Sequence, residues 1–209
     1  MRKASETTIR RLSLYLRILE KASGAGTETI SSEELAEGAG TTAAQVRKDL
    51  SLFGSFGKRG LGYAVPQLAS ELEQILGLDR SWRVALVGAG RIGSALFEYA
   101  GFAERGFEIV AVLDADPGKV GRRWGDVTVR HVDELEETIR GGGVEMAVVA
   151  VPAESGQEVV DRAVDAGVRG ILNFAPTQLR VPPGVALKDV NLVMELEALS
   201  FSITRNHAS

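Results

Sequence analysis

Gly88-Ala89-Gly90-Arg91-Ile92-Gly93 decides the reading of this chain. The stretch follows an apolar run at 84–87 and opens a segment of helical character at 91–100. In a strand–turn–helix setting each glycine has a task. Gly88 permits the tight turn, Gly90 lets a pyrophosphate approach the backbone, and Gly93 allows close helix–sheet packing, while the helix start attracts phosphate charge. Ala89, Arg91 and Ile92 complete the loop. The next apolar run, 109–113, ends in Leu113-Asp114-Ala115-Asp116, which puts an acid where it can accept hydrogen bonds from an adenosine ribose. Asp114 is the first choice and Asp116 the second. An acid there favours NAD(H) over the 2′-phosphorylated cofactor, with Arg122 and Arg123 close by.

Outward from the loop the alternation continues. Apolar runs at 146–151 and 170–174 read as further strands, and 133–140 and 155–166 as helices. Continuous apolar strands separated by helices imply a parallel sheet covered on both faces. At the end of the chain Leu192, Leu196, Leu199 and Ile203 fall at i, i+4, i+7 and i+11. That spacing makes an amphipathic helix of about three turns with a face to bury.

Ahead of the loop the texture differs. Ile9, Leu12, Leu16 and Leu19 carry a helical period, and Ser23-Gly24-Ala25-Gly26 breaks it. Ser31 with Glu34, then Thr42 with Gln45, have capping-box spacing, so two short helices at 32–39 and 42–51 are expected across a glycine turn. This is helix–turn–helix layout, with the second helix offering its outer face to a major groove. With Val46 and Leu50 inward, Gln45, Arg47, Lys48 and Ser51 are expected outward. Arg47 and Lys48 suit phosphates; Gln45, Ser51 and Leu52 or Phe53 suit base edges. Residues 53–63 alternate glycine with aromatic and basic residues, as in a short hairpin whose Lys58 and Arg59 reach the DNA backbone or a minor groove. Pro66 starts a linking helix that Gly77 stops.

Bulk properties narrow the classes. In 209 residues there is room for two modest domains. The net charge of −4 conceals a basic head: ten Lys and Arg face seven Asp and Glu in residues 1–63, and the remainder carries the acidic excess. No cysteine is present, which excludes disulfides, thiolate metal sites and a cysteine nucleophile. Redox sensing, if any, would need a bound molecule. His131 and His207 lie far apart, so no metal site is expected. No run approaches the roughly 18 apolar residues of a membrane span, and Met1-Arg2-Lys3-Ala4-Ser5 shows no secretory leader, so a cytoplasmic protein is expected. Neither a general acid/base pair nor a partnered nucleophile stands out, which favours binding without chemistry. A small NAD-dependent oxidoreductase, a coenzyme A-binding regulator, and a DNA-binding protein with a Rossmann dimerisation scaffold remain open.

Specific motifs add a resemblance. Gln45-Val46-Arg47-Lys48-Asp49-Leu50-Ser51, Phe53-Gly54, Gly60-Leu61-Gly62-Tyr63, the Gly88–Gly93 loop, Pro152 and Ile171-Leu172-Asn173-Phe174-Ala175-Pro176 together resemble the redox-sensing repressor family Rex, over nearly the whole chain. The resemblance implies an α/β protein: an N-terminal winged helix-turn-helix domain with its linker helix (1–78), a Rossmann domain (79–190) with a doubly wound parallel sheet, and a domain-swapped C-terminal helix (191–209). It implies a homodimer that grips palindromic double-stranded operator DNA when NAD+ dominates and releases it when NADH accumulates. Carried over by position, Gly88, Gly90 and Gly93 hold the pyrophosphate and Asp114 the ribose. Asn173, Phe174 and Pro176 approach the nicotinamide. Tyr99, in the helix after the glycines, takes part in the switch. Arg17 couples the domains across the dimer to an aspartate before the last helix. Here that position holds Asn191, with Asp189 two residues earlier, a departure that bears on the coupling.

Overall fold

The computed structural model describes residues 4–57 and 60–206. The chain divides into two compact units, Met1–Arg80 and Ser81–Ser209.

In the first unit α1 (Glu6–Gly24) is capped by Ser5, whose hydroxyl accepts from the Thr8 amide. β1 (Thr29–Ile30) leads into α2 (Ser32–Gly38), which begins with the full Ser31/Glu34 capping box, two orphan amides being satisfied reciprocally. Gly40, at φ +62°, turns the chain into α3 (Ala43–Ser51). β2 (Tyr63–Ala64) follows, then α4 (Val65–Leu76), closed by left-handed Gly77. Leu12, Tyr15, Leu16 and Leu19 of α1 share one core with Leu35, Val46, Leu50, Leu68 and Leu72.

The expected hairpin is not what the chain forms. Residues 53–63 form no hairpin of their own among the described residues. β2 instead pairs antiparallel with β1, Ile30 opposite Tyr63, so the wing closes onto a strand lying before α2. α4, the linking helix expected inside the first domain, buries Val65, Leu68 and Leu72 in the same core as α1.

The second unit opens with β3 (Trp82–Val87) and α5 (Arg91–Phe97), followed by β4 (Phe107–Asp114). β5 (Arg123–Trp124) and β6 (Val127–His131) precede α6 (Leu135–Gly142). β7 (Met146–Val149), α7 (Ala153–Asp165), β8 (Gly170–Asn173), β9 (Ala186–Asp189) and α8 (Leu192–Asn206) complete it. The sheet order is β5-β6-β4-β3-β7-β8-β9, parallel throughout except for the antiparallel β5–β6 edge. Without β5 this is the doubly wound order 3-2-1-4-5-6. Successive residues of β3 serve opposite layers: Ala85 and Val87 pack with α6 and α7, while Val84 and Leu86 pack with the α5 side. Both faces are therefore apolar, which is why the strands read as continuous runs. β5, β6 and β9, too short or too polar to stand out as runs, were not anticipated. α8 is longer than expected at 15 residues.

Candidate functional site

The strand order reverses between β3 and β7, and the glycine loop leaves the carboxyl end of β3 at that switch point. Ligands bind in this crevice of open α/β sheets. Gly88 has φ +107°, and a Cβ there would collide with the Ala150 carbonyl. A Cβ on Gly93 would run into the Gly88 carbonyl oxygen. Gly90 is different: a Cβ there meets nothing within 4 Å, so the open side of the loop lies over this residue. No side chain caps α5, which leaves its first-turn amides for a ligand. Arg91 and Ile92 are exposed beside them, and Ala89 is buried.

Asp114 ends the neighbouring β4, 9% exposed. Its Oδ2 accepts from the Ala89 amide at 2.7 Å and from Lys119 Nζ at 3.0 Å, and its Oδ1 accepts from the Asp116 amide at 2.8 Å. Burial pushes the carboxyl pKa up, but the bonds from Asp116, Lys119 and Ala89 outweigh it and hold the group below its ordinary value. The acid is thus an anion tied to the loop itself, and Lys119, which sequence reasoning missed, is its counter-ion. Asp116 stays exposed, accepting from the Gly118 amide.

Two strands from β3, at the carboxyl end of β8, stands Asn173. Asn173 is 1% exposed, and both ends of its amide are hydrogen-bonded. Nδ2 donates to the Thr177 carbonyl and to Asp189 Oδ1, and Oδ1 accepts from the Ala175 amide. Asn173 therefore holds the 174–177 turn against β9. Half-buried Phe174 packs on the sheet, while exposed Pro176 lines a cavity of about 430 Å³ with Asp189, Asn191 and Met194. Asn191 Oδ1 accepts from the Val193 and Met194 amides, capping α8. Tyr99 lies two residues past the end of α5 rather than in it, because the helix stops at Phe97. It is 60% exposed and sits edge-on to Phe102, 5.3 Å between ring centres. Arg17 is exposed and has no ion-pair partner among the described residues.

On the helix–turn–helix, Arg47, Lys48 and Ser51 are exposed as expected. Arg47 Nη1 donates to Ser32 Oγ at 2.6 Å and approaches Glu33 at 3.3 Å, tying α3 to α2. The Ser51 hydroxyl donates to the Lys48 carbonyl. Phe53 is half-buried, packed against the core. Lys58 and Arg59 lie outside the described residues. Thr42 caps α3 through the Gln45 amide, but the Gln45 side chain does not complete the expected box. Its Nε2 donates instead to Asp49 Oδ1 at 2.7 Å. Asp49, Arg11 and Tyr15 were not singled out from the sequence. Asp49 is 1% exposed and accepts from Arg11 Nε and Nη2 at 2.6 and 2.7 Å and from the Tyr15 hydroxyl at 3.0 Å. Burial, reinforced by Asp49, pushes the Tyr15 phenol up to about 12.

Comparison with known proteins covers both units. Residues 3–51 match the family described as "Putative DNA-binding protein N-terminus", and residues 79–177 match "CoA binding domain". Proteins named redox-sensing transcriptional repressor Rex are 50% identical to this chain. The one from Carboxydothermus hydrogenoformans aligns over 98% of both chains, and the one from Thermus thermophilus over 96% of this chain and 94% of its own. Two crystal structures of a Rex-family repressor, RSP, superpose over the full chain. The complex with β-NAD+ and operator DNA has a TM-score of 0.94 at 36% identity and is covered over 96% of its length. The complex with β-NADH has a TM-score of 0.88 at 35% identity and is covered over 98%.

Proposed function

The chain belongs to the Rex family of redox-sensing transcriptional repressors, and from that premise we propose how its own residues divide the work. The protein binds operator DNA and responds to which form of the nicotinamide dinucleotide it holds. The observation that carries the reading is 50% identity running through both units, head and nucleotide domain alike. The open side at Gly90 and the anionic Asp114 fit a dinucleotide: the loop backbone takes the pyrophosphate and the carboxylate accepts from the ribose. Coenzyme A, which carries a phosphate on its adenosine ribose, would set that phosphate against the same carboxylate.

The cofactor supplies the signal, a ring that gains a hydride and loses its positive charge. The protein supplies geometry. Pro176, in the turn held by Asn173, borders the cavity at the end of β8, Phe174 packs on the sheet beside it, and Tyr99 and Arg17 are exposed groups. Arg47, Lys48 and Ser51 face the DNA. The ligand is sensed without turnover, a reading supported by relatives named as repressors. The working form is a cytoplasmic homodimer with α8 packed on a second copy, because α8 leaves Leu192, Leu196, Leu199 and Ile203 between 58% and 66% exposed in one chain.

Titration of a palindromic operator by band shift, at fixed salt, tests the function. Release by NADH and retention with NAD+ is expected. Retention with both would leave a DNA-binding protein whose nucleotide site serves another ligand.

A further inference from the structure

Asp49 is a buried carboxylate on the helix that meets DNA, and every one of its acceptor positions is taken. Arg11 and Tyr15 of α1 fill three, and Gln45 Nε2 fills the fourth, one turn back on α3. Arg11 Nε and the Tyr15 hydroxyl share Oδ2; Arg11 Nη2 and Gln45 share Oδ1. About four lone-pair sites are all a carboxylate has. This saturation fixes the Gln45 amide, since an ionised carboxylate only accepts and the nitrogen end must face it. Gln45 is left with its carbonyl oxygen and one N–H. It stands at the third residue of α3, the end of a recognition helix whose residues contact base edges.

We propose that Asp49 is a positioning residue that locks the Gln45 amide for reading one adenine per half-site, the carbonyl accepting from N6 and the remaining N–H donating to N7. The inference rests on the DNA-binding reading above. Ionisation of Asp49 is required throughout, and its pKa is held below the ordinary carboxylate value: burial opposes this, but Arg11, Gln45 and Tyr15 together prevail. Arg11 is 20% exposed in its side chain, so the anchor lies below the surface and the reader at it.

The test is selection from a randomised double-stranded DNA library by the full-length protein, comparing wild type with Gln45→Leu, Gln45→Glu and Asp49→Asn. Wild type is expected to enrich a motif with an A·T pair that depends on Gln45. Gln45→Leu should lower discrimination at that pair alone, by roughly tenfold to a hundredfold. Gln45→Glu, an acceptor with no N–H, should move the preference toward cytosine, whose N4 donates. Asp49→Asn gives Arg11 its one acceptor and turns an NH2 toward Gln45. The Gln45 amide then flips and offers donors, shifting the preference toward guanine N7 and O6.

A wild-type motif left unchanged by Gln45→Leu would overturn the inference while leaving DNA binding intact. Enrichment of no motif by wild type would instead sink the DNA-binding reading. Uniform weakening of one unchanged motif in Asp49→Asn would reduce Asp49 to a structural role. Should Asp49→Asn not fold, the side-chain amide protons of Gln45 in the wild-type NMR spectrum decide the anchoring. One exchange-protected proton of the pair is expected; two unprotected ones would refute it.

Discussion

Asp114 does more than wait for a ribose. It holds the Ala89 amide and Lys119, so the acid organises the glycine loop. Asp114→Ala should raise the NADH dissociation constant about tenfold to a hundredfold, on the scale of one charge-assisted hydrogen bond, read by fluorescence titration. An unchanged constant would put the ribose elsewhere. Asp49 makes a second residue-scale expectation. A carboxylate whose folded pKa is depressed contributes stability that is complete above its unfolded pKa and is lost as pH falls through the folded value. Below about pH 4 the denaturant midpoint of the wild type should therefore drop more steeply than that of Asp49→Asn, which has no such group to titrate. Parallel curves would assign the acid sensitivity to other carboxylates. The loop acid was legible from its place at the end of an apolar run. Asp49 was not, because a lone acid between Lys48 and Leu50 looks like a solvated face. Only packing of α1 against α3 shows that it is covered.

At the scale of elements, periodicity served where burial is regular. α1, α2, α3 and the strands of the sheet centre follow from their apolar spacing and caps. The wing did not, since its pairing joins Ile30 to Tyr63 across two helices and no local pattern announces a partner so far away. The end of α5 was likewise beyond the sequence: Leu96 and Phe97 continue a helical rhythm, but the chain turns at Tyr99, where the Phe102 amide donates to the Tyr99 carbonyl. For α8 the helix itself was legible in the sequence, and its apolar residues stand exposed in the single chain. Leu199→Arg places a charge in the middle of its apolar face and should shift sedimentation from dimer to monomer. A dimer that survives this change would have its main interface elsewhere.

At the scale of the whole molecule the issue is how a hydride on one ring reaches the DNA. Driving a two-state equilibrium from 1:99 to 99:1 takes about 5.5 kcal/mol of differential affinity, which two ligands in a dimer could share. In any dimer that reads two half-sites at a spacing of about 34 Å or its multiples, a modest rotation of the heads would break register. We propose that Asn191 bears on this coupling. As a cap of α8 it does what aspartate would, through Oδ1 alone, but it carries no charge. Asn191→Asp should lower the NADH concentration for half-release of operator, within the roughly fivefold to 150-fold range of typical coupling energies. Arg17→Ala in the same background should abolish the gain; a gain that persists would mean the added charge acts without Arg17. The sequence by itself determined the two-part architecture, the dinucleotide loop, its acid and the helix–turn–helix, because these are carried by glycines, caps and apolar periods within a few residues of one another. Only the tertiary structure decided that Asn173 is a clamp, that Lys119 neutralises Asp114, and that Asp49 takes hold of Gln45. Each of those is a hydrogen-bond partnership, and partners are settled by which polar groups burial brings together, not by their order along the chain.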